Sequence, residues 1–141
     1  MTYLVSACLL GTPCRFDGEA RPVLRVIALS AHHTLIPICP ECLGGLPTPR
    51  TPAERRGDLV IACDGRDVTE AYQRGACEVV RLARLHHADG AILKSKSPAC
   101  GVGLIYDGSF TRTLCNGNGV AADALIAAGY PVTDENDPPS N

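Results

Sequence analysis

The sequence predicts a single α/β domain, with a Rossmann-like, mainly parallel sheet and helices on both faces. Three observations predict it. Short apolar runs of strand character alternate with helix-patterned segments three times along the chain. No repeat or internal linker divides the 141 residues, a length that suits one domain around one continuous core. Charged residues make up 20% and apolar residues 45%, too apolar a balance for a disordered chain.

The elements follow in order. Residues 3–7 form a buried-type strand, ended by Gly11 and Pro13 in a loop that carries Cys8 and Cys14. Residues 21–33 predict a helix, with Pro22 in its first turn and Val23, Leu24, Ile27, Ala28 and Ala31 at helical spacing. Residues 34–38 are a second strand that runs directly into Cys39-Pro40-Glu41-Cys42. Residues 46–57 hold three Pro and three Arg and read as an irregular loop, followed by an extended run at 59–62. Asp67 and Glu70 resemble a capping box that opens a helix to about His87. Its apolar stripe is Ala71, Tyr72, Ala76, Val79, Val80 and Ala83.

Residues 90–93 are a third strand, ending in Lys94-Ser95-Lys96-Ser97-Pro98-Ala99-Cys100-Gly101. Asp107-Gly108, between two extended runs, signals a two-residue hairpin. Asn118 or Gly119 opens a last helix through Ala128, capped by Gly129, and residues 130–133 predict an edge strand. The domain is therefore placed at 1–133, with 134–141 a flexible polar tail.

Composition narrows the function. A net charge of −2 disfavours a cationic nucleic-acid wrapper, and 4% aromatics without Trp disfavour a base-stacking single-strand binder. No stretch is long and apolar enough to span a membrane. Eight cysteines are the unusual feature. The N-terminus lacks the basic and long apolar regions of a signal peptide, which predicts a cytoplasmic chain with reduced thiols. Four disulfides remain the alternative for an exported chain.

Position sharpens the count. Cys8, Cys39 and Cys100 each follow a predicted strand, and parallel strands bring those ends to one edge, where ligands bind in such sheets. Three converging thiols suit a soft metal or an iron–sulfur cluster; the bland reading is three small buried hydrophobes. Cys14 and Cys42 lie near enough to be further ligands, whereas Cys63, Cys77 and Cys115 read as ordinary packing. The His32-His33 and His86-His87 pairs fall at predicted helix ends, where they cap. Glu41 reads as a general acid or base, or as a structural carboxylate. Ser97, before Pro98, reads as a turn cap or a functional hydroxyl. Arg15, Arg50, Lys94 and Lys96 flank the same edge and suit a phosphate or a small-molecule oxygen.

Three blocks carry a family resemblance: Ser6-Ala7-Cys8-Leu9-Leu10-Gly11 with Arg15-Phe16-Asp17-Gly18, Cys39-Pro40-Glu41-Cys42-Leu43-Gly44-Gly45-Leu46-Pro47-Thr48-Pro49-Arg50, and Lys94 to Gly101. Together they resemble the small bacterial family called domain of unknown function 523, whose characterised members are thiouracil desulfurases. The resemblance implies a 4Fe-4S cluster held by Cys8, Cys39 and Cys100 with one iron open, and catalytic roles for Glu41 and Ser97. It implies non-redox removal of sulfur from 2- or 4-thiouracil, or from 4-thiouridine, with release of sulfide. Arg15, Arg50 and Lys94 are then expected to bind the substrate, a free base or nucleoside rather than a nucleic acid. The rival is a non-catalytic metal- or cluster-binding module.

Overall fold

Residues 1–140 are described by a computed structural model. Four parallel strands form its main sheet: β1 (Thr2–Ser6), β2 (Thr34–Ile38), β5 (Gly90–Leu93) and β8 (Val132–Asp134), in the order β2-β1-β5-β8. The central pair is buried on both faces, as near-continuous apolar runs in parallel sheets are: Leu4, Val5, Ile92 and Leu93 are fully inaccessible. β1 pairs β2 in register from Thr2 opposite Thr34 to Ser6 opposite Ile38. The chain leaves β1 toward β2 and later returns to the other side as β5, so the order reverses between β1 and β5.

The alternation of side chains along each strand builds two cores. Leu4, Ala91 and Leu93 pack against α3 (Thr69–Leu85) and α4 (Val120–Ala127), through Tyr72, Ala76, Val79, Ala83, Ala121, Ala122 and Leu125. Tyr3, Val5 and Ile92 pack against Leu9, Val26 and Leu29, from the short helical segments Ala7–Leu10, α1 (Leu24–Ile27) and Ala28–Ala31. Helices thus cover both faces, as expected.

α2 (Pro40–Leu43) crosses α3 where two glycines meet. Gly75 stands inside α3, where glycine costs about 1 kcal/mol relative to alanine. A Cβ there would collide with the carbonyl of Pro40, and one on Gly44 with the carbonyl of Ala71. The glycines therefore admit the Cys39-Pro40-Glu41 turn against α3. Gly75→Ala is expected to destabilise by about 1–3 kcal/mol through overpacking, read as a lower Tm in thermal unfolding. An unchanged Tm would show that the crossing tolerates a methyl group.

Several expectations are corrected. The helix expected over 21–33 is shorter: Val23 stays extended, α1 starts at Leu24, and the chain tightens into a 3-10 turn after Ile27. Leu24 is 81% exposed, and Val26 and Leu29, three residues apart, take the buried places. Residues 46–57 are not wholly irregular, because β3 (Ala53–Arg56) pairs antiparallel with β4 (Leu59–Ala62). The two-residue hairpin signal belongs there, to Gly57-Asp58, with Gly57 at φ +60°.

Asp107-Gly108 instead opens a loop, residues 107–113, between β6 (Leu104–Tyr106) and β7 (Leu114–Asn116). Asp107 turns inward on this loop, accepting the Ser109 amide at 2.9 Å. At α3 the capping box is replaced by an Asx turn, in which the Thr69 amide donates to Asp67. The ordered fold also runs past residue 133, because Asp134 belongs to β8 and Glu135 is buried. Finally, Cys63 and Cys77 are exposed rather than packed; Cys77 lies off the α3 stripe, beside buried Ala76.

Candidate functional site

The strand ends converge as the sequence predicts. A cavity of about 900 Å³ opens at the carboxyl ends of β1, β2 and β5, and Cys8, Cys14, Cys39 and Cys100 all line it. Cys8 lies in the first turn after β1, Cys39 is the N-cap residue of α2 after β2, and Cys100 lies in the loop after β5. This is the switch point of the sheet, where open α/β folds bind ligands. All eight cysteines are free thiols. Cys42, the second member of the Cys39-x-x-Cys42 pair, is exposed, lies 3.5 Å from the Thr48 hydroxyl and does not line the cavity.

The thiols are neighbours. Cys14 meets Cys39 on one side and Cys8 on the other, and the Cys39 Sγ also donates to the Cys14 carbonyl at 3.8 Å. The hydrogen bond from Cys39 lowers the Cys14 pKa, but the contact with Cys8 and burial push it up to about 11. Donation to Cys14, followed by burial and the Glu41 charge, raises Cys39; burial and then Glu41 raise Cys100. Without a metal these groups hold their protons, and a bound cation would draw out the thiolates. Among the described residues, no three His, Cys, Asp or Glu side chains close around a single-ion position. A cubane cluster takes each thiolate at a different iron, so separated thiols around one cavity fit it, and the soft donor set does not suit hard cations.

Glu41 is carried into the cavity by the first turn of α2 and is buried. Burial raises its pKa, and the Arg50 guanidinium, 3.6 Å away, opposes that rise. The Cys39 Sγ donates to its Oε1 at 3.9 Å, and the Tyr72 hydroxyl supports it from α3. Ser97 Oγ accepts the amides of Ala99 and Cys100, each at 3.1 Å, so the capping reading is realised; the hydroxyl also supports the Cys100 sulfur. Ser6 joins two strand ends, accepting the Lys94 amide at 2.9 Å and supporting Cys100 as well.

The three expected cations have different surroundings. Arg15 lines the cavity with a buried Nη1 that has no hydrogen-bond partner among the described residues, its guanidinium 5.6 Å from the centre of the Phe16 ring. Arg50 is committed to Glu41 and to the Thr48 hydroxyl. Lys94 is committed to Glu135 at 3.1 Å.

A family model described as 2-thiouracil desulfurase matches residues 3–137. The chain belongs to the 2-thiouracil desulfurase family. The chain is 39% identical over 144 residues to protein YbbK of Bacillus subtilis (strain 168), covering 95% of each. It also superposes on the 4Fe-4S-dependent thiouracil desulfidase TudS with a TM-score of 0.92 at 41% identity, covering 96% of this chain and 91% of that one.

Glu135 is a cavity residue that the sequence did not mark as functional. Glu135, placed in the expected polar tail, lines the cavity and accepts the Ser95 amide at 2.8 Å and the Ser95 hydroxyl at 3.1 Å. Its carbonyl accepts Arg25 from α1. Burial alone would raise the Glu135 carboxyl, but the Ser95 amide and Lys94 hold it below its ordinary value. Its folded pKa is thus depressed, so it stabilises the fold above the unfolded glutamate value of about 4.3, and that contribution is lost as pH falls through the folded pKa. Glu135→Gln is expected to lower Tm at pH 7 and to shrink the fall in Tm between pH 5 and pH 3. An acid profile parallel to wild type would refute this role. No local signal marks Glu135, because its partners lie forty or more residues away in sequence.

Proposed function

We propose that the protein is a 4Fe-4S-dependent desulfidase that replaces the sulfur of a thiolated pyrimidine with oxygen from water, with Cys8, Cys39 and Cys100 as the cluster ligands. One observation carries this reading: four thiols and a buried carboxylate converge on a single cavity at the switch point of the sheet. The family and the likeness to TudS support the same chemistry. Three thiols are assigned as ligands because each stands at the end of a different strand. Cys14 is assigned to the sulfur shell that hydrogen-bonds Cys8 and Cys39. A cluster held there with one iron unligated by protein would supply a soft Lewis acid for a thiocarbonyl sulfur.

The chain's own residues handle water and protons. In the net reaction one C=S bond is replaced by a C=O bond from water, and sulfur leaves as sulfide. The ring carbon keeps its oxidation state, so no reductant is consumed. Glu41 takes a proton from the attacking water and returns it to a leaving or ring atom, as a general base and then acid. Arg50 fixes Glu41 from one side and Tyr72 from the other. Ser97, its oxygen anchored by two amides, presents its hydroxyl proton to the site. Arg15 offers its Nη1 to an oxygen of the substrate, while Lys94 serves through Glu135. The substrates proposed are 2- or 4-thiouracil and their nucleosides, in a reducing cytoplasm that keeps the thiols available.

Anaerobically reconstituted protein, mixed with 2-thiouracil and no reductant, is expected to form uracil and sulfide in equal amounts. A brown protein that releases no sulfide would be a non-catalytic cluster-binding module, and turnover that needed a reductant would overturn the hydrolytic step.

A further inference from the structure

The chain contains two phenylalanines and no tryptophan. Phenylalanine ordinarily fills cores, yet neither Phe16 nor Phe110 belongs to either core cluster. Both line the cavity that holds the thiols. The face of Phe16 already has a partner in the Arg15 guanidinium. Phe110 stands on the loop between β6 and β7, in an unusual backbone state: its φ is +58°, in the left-handed region that bulky side chains rarely enter.

That conformation is imposed from a separate sheet. Glu54 on β3 accepts two loop amides through one oxygen, from Gly108 at 3.0 Å and from Phe110 at 3.1 Å. Arg56, two residues on and therefore on the same face of β3, donates to the Gly108 carbonyl at 2.7 Å. A Cβ on Gly108 would collide with the Arg56 side chain, so the loop is pressed closely onto the hairpin. The hairpin of β3 and β4 thus acts on the cavity through this loop. A strained aromatic residue, clamped by a carboxylate and left out of the core, is the pattern expected of a ligand contact.

We propose that Phe110 packs its ring against the pyrimidine of the substrate and that Glu54 is the positioning residue that holds it there. The inference rests on the desulfidase reading and deepens it, by giving the site an aromatic surface that selects flat heterocycles. Stacking on an aromatic side chain contributes binding for any base face, which suits a site that takes several thiolated pyrimidines.

The test is steady-state kinetics with 2-thiouracil on anaerobically reconstituted protein, with iron content and visible absorbance measured on each sample. Phe110→Ala is expected to raise KM roughly tenfold, with kcat changed by less than about twofold and cluster content as in wild type. Phe110→Trp, which keeps an aromatic face, is expected to restore KM. Glu54→Ala is expected to raise KM in the same way, and Glu54→Gln, which retains the accepting oxygen, to restore it. An unchanged KM in Phe110→Ala overturns the stacking role while leaving the desulfidase reading intact. A Glu54→Gln variant as impaired as Glu54→Ala overturns the clamp. A wild-type protein that carries its cluster yet releases no sulfide overturns the desulfidase reading itself, and this inference with it.

Discussion

Glu41→Gln is expected to lower kcat for desulfuration by roughly 10²–10⁴-fold while leaving iron content and visible spectrum unchanged. The substitution keeps the side-chain volume and one accepting oxygen but removes the carboxyl group proposed to exchange protons. Glu41 is buried in the cavity beside Cys39, with Arg50 3.6 Å away, so its carboxylate is oriented and shielded from bulk water. Arg50 keeps its bonds to Thr48 and Pro47 in the variant, so the loop that carries it is expected to stay in place. Glu41→Asp, which retains the acid on a shorter stem, is expected to recover part of the rate. Activity within twofold of wild type in Glu41→Gln would remove Glu41 from the chemistry and return it to the structural reading.

Cys100→Ser is expected to abolish both the colour of the reconstituted protein and its desulfuration. Cys100 is buried at the end of the Ser97 turn, where Ser6 and Ser97 direct hydroxyls toward its sulfur. An alkoxide is a poor substitute for thiolate at iron, and the buried site has no other soft donor on that strand end. Cys8→Ser and Cys39→Ser are expected to behave in the same way. Cys42→Ser is expected to keep the cluster, because Cys42, although its thiol meets that of Cys39, is exposed and outside the cavity lining. Cys14→Ser is the discriminating variant: it keeps the cluster if Cys14 only hydrogen-bonds the ligands. Loss of the cluster in Cys14→Ser with retention in Cys8→Ser would exchange those two residues in the ligand set.

Much of this was legible in the chain, for identifiable reasons. β1 and β5, buried on both faces, read as short continuous apolar runs, and the edge strand β2 carries a similar run although only Ile38 is buried. Because those strands end in cysteine-bearing loops, topology alone brought Cys8, Cys39 and Cys100 to one cavity. α3 was legible from its amphipathic period. What escaped depends on distant partners. β3 is held by its pairing with β4 and by Glu54's bonds to the distant 107–113 loop, not by any apolar pattern of its own. Glu135 sits in a polar, Pro-rich stretch and is buried only because Ser95, Lys94 and Arg25 receive it. Cys14 was legible as a neighbour of the site, but not as the thiol between Cys8 and Cys39.

The proposed function requires thiols at the strand ends to hold an iron–sulfur cluster of the kind on which TudS depends. It is tested most directly by counting iron and acid-labile sulfide per chain after anaerobic reconstitution, alongside a zinc determination. Four irons and four sulfides per chain are expected, as the composition of a 4Fe-4S cluster requires. A colourless protein that binds one zinc tightly through its cysteines would contradict a cluster at this site.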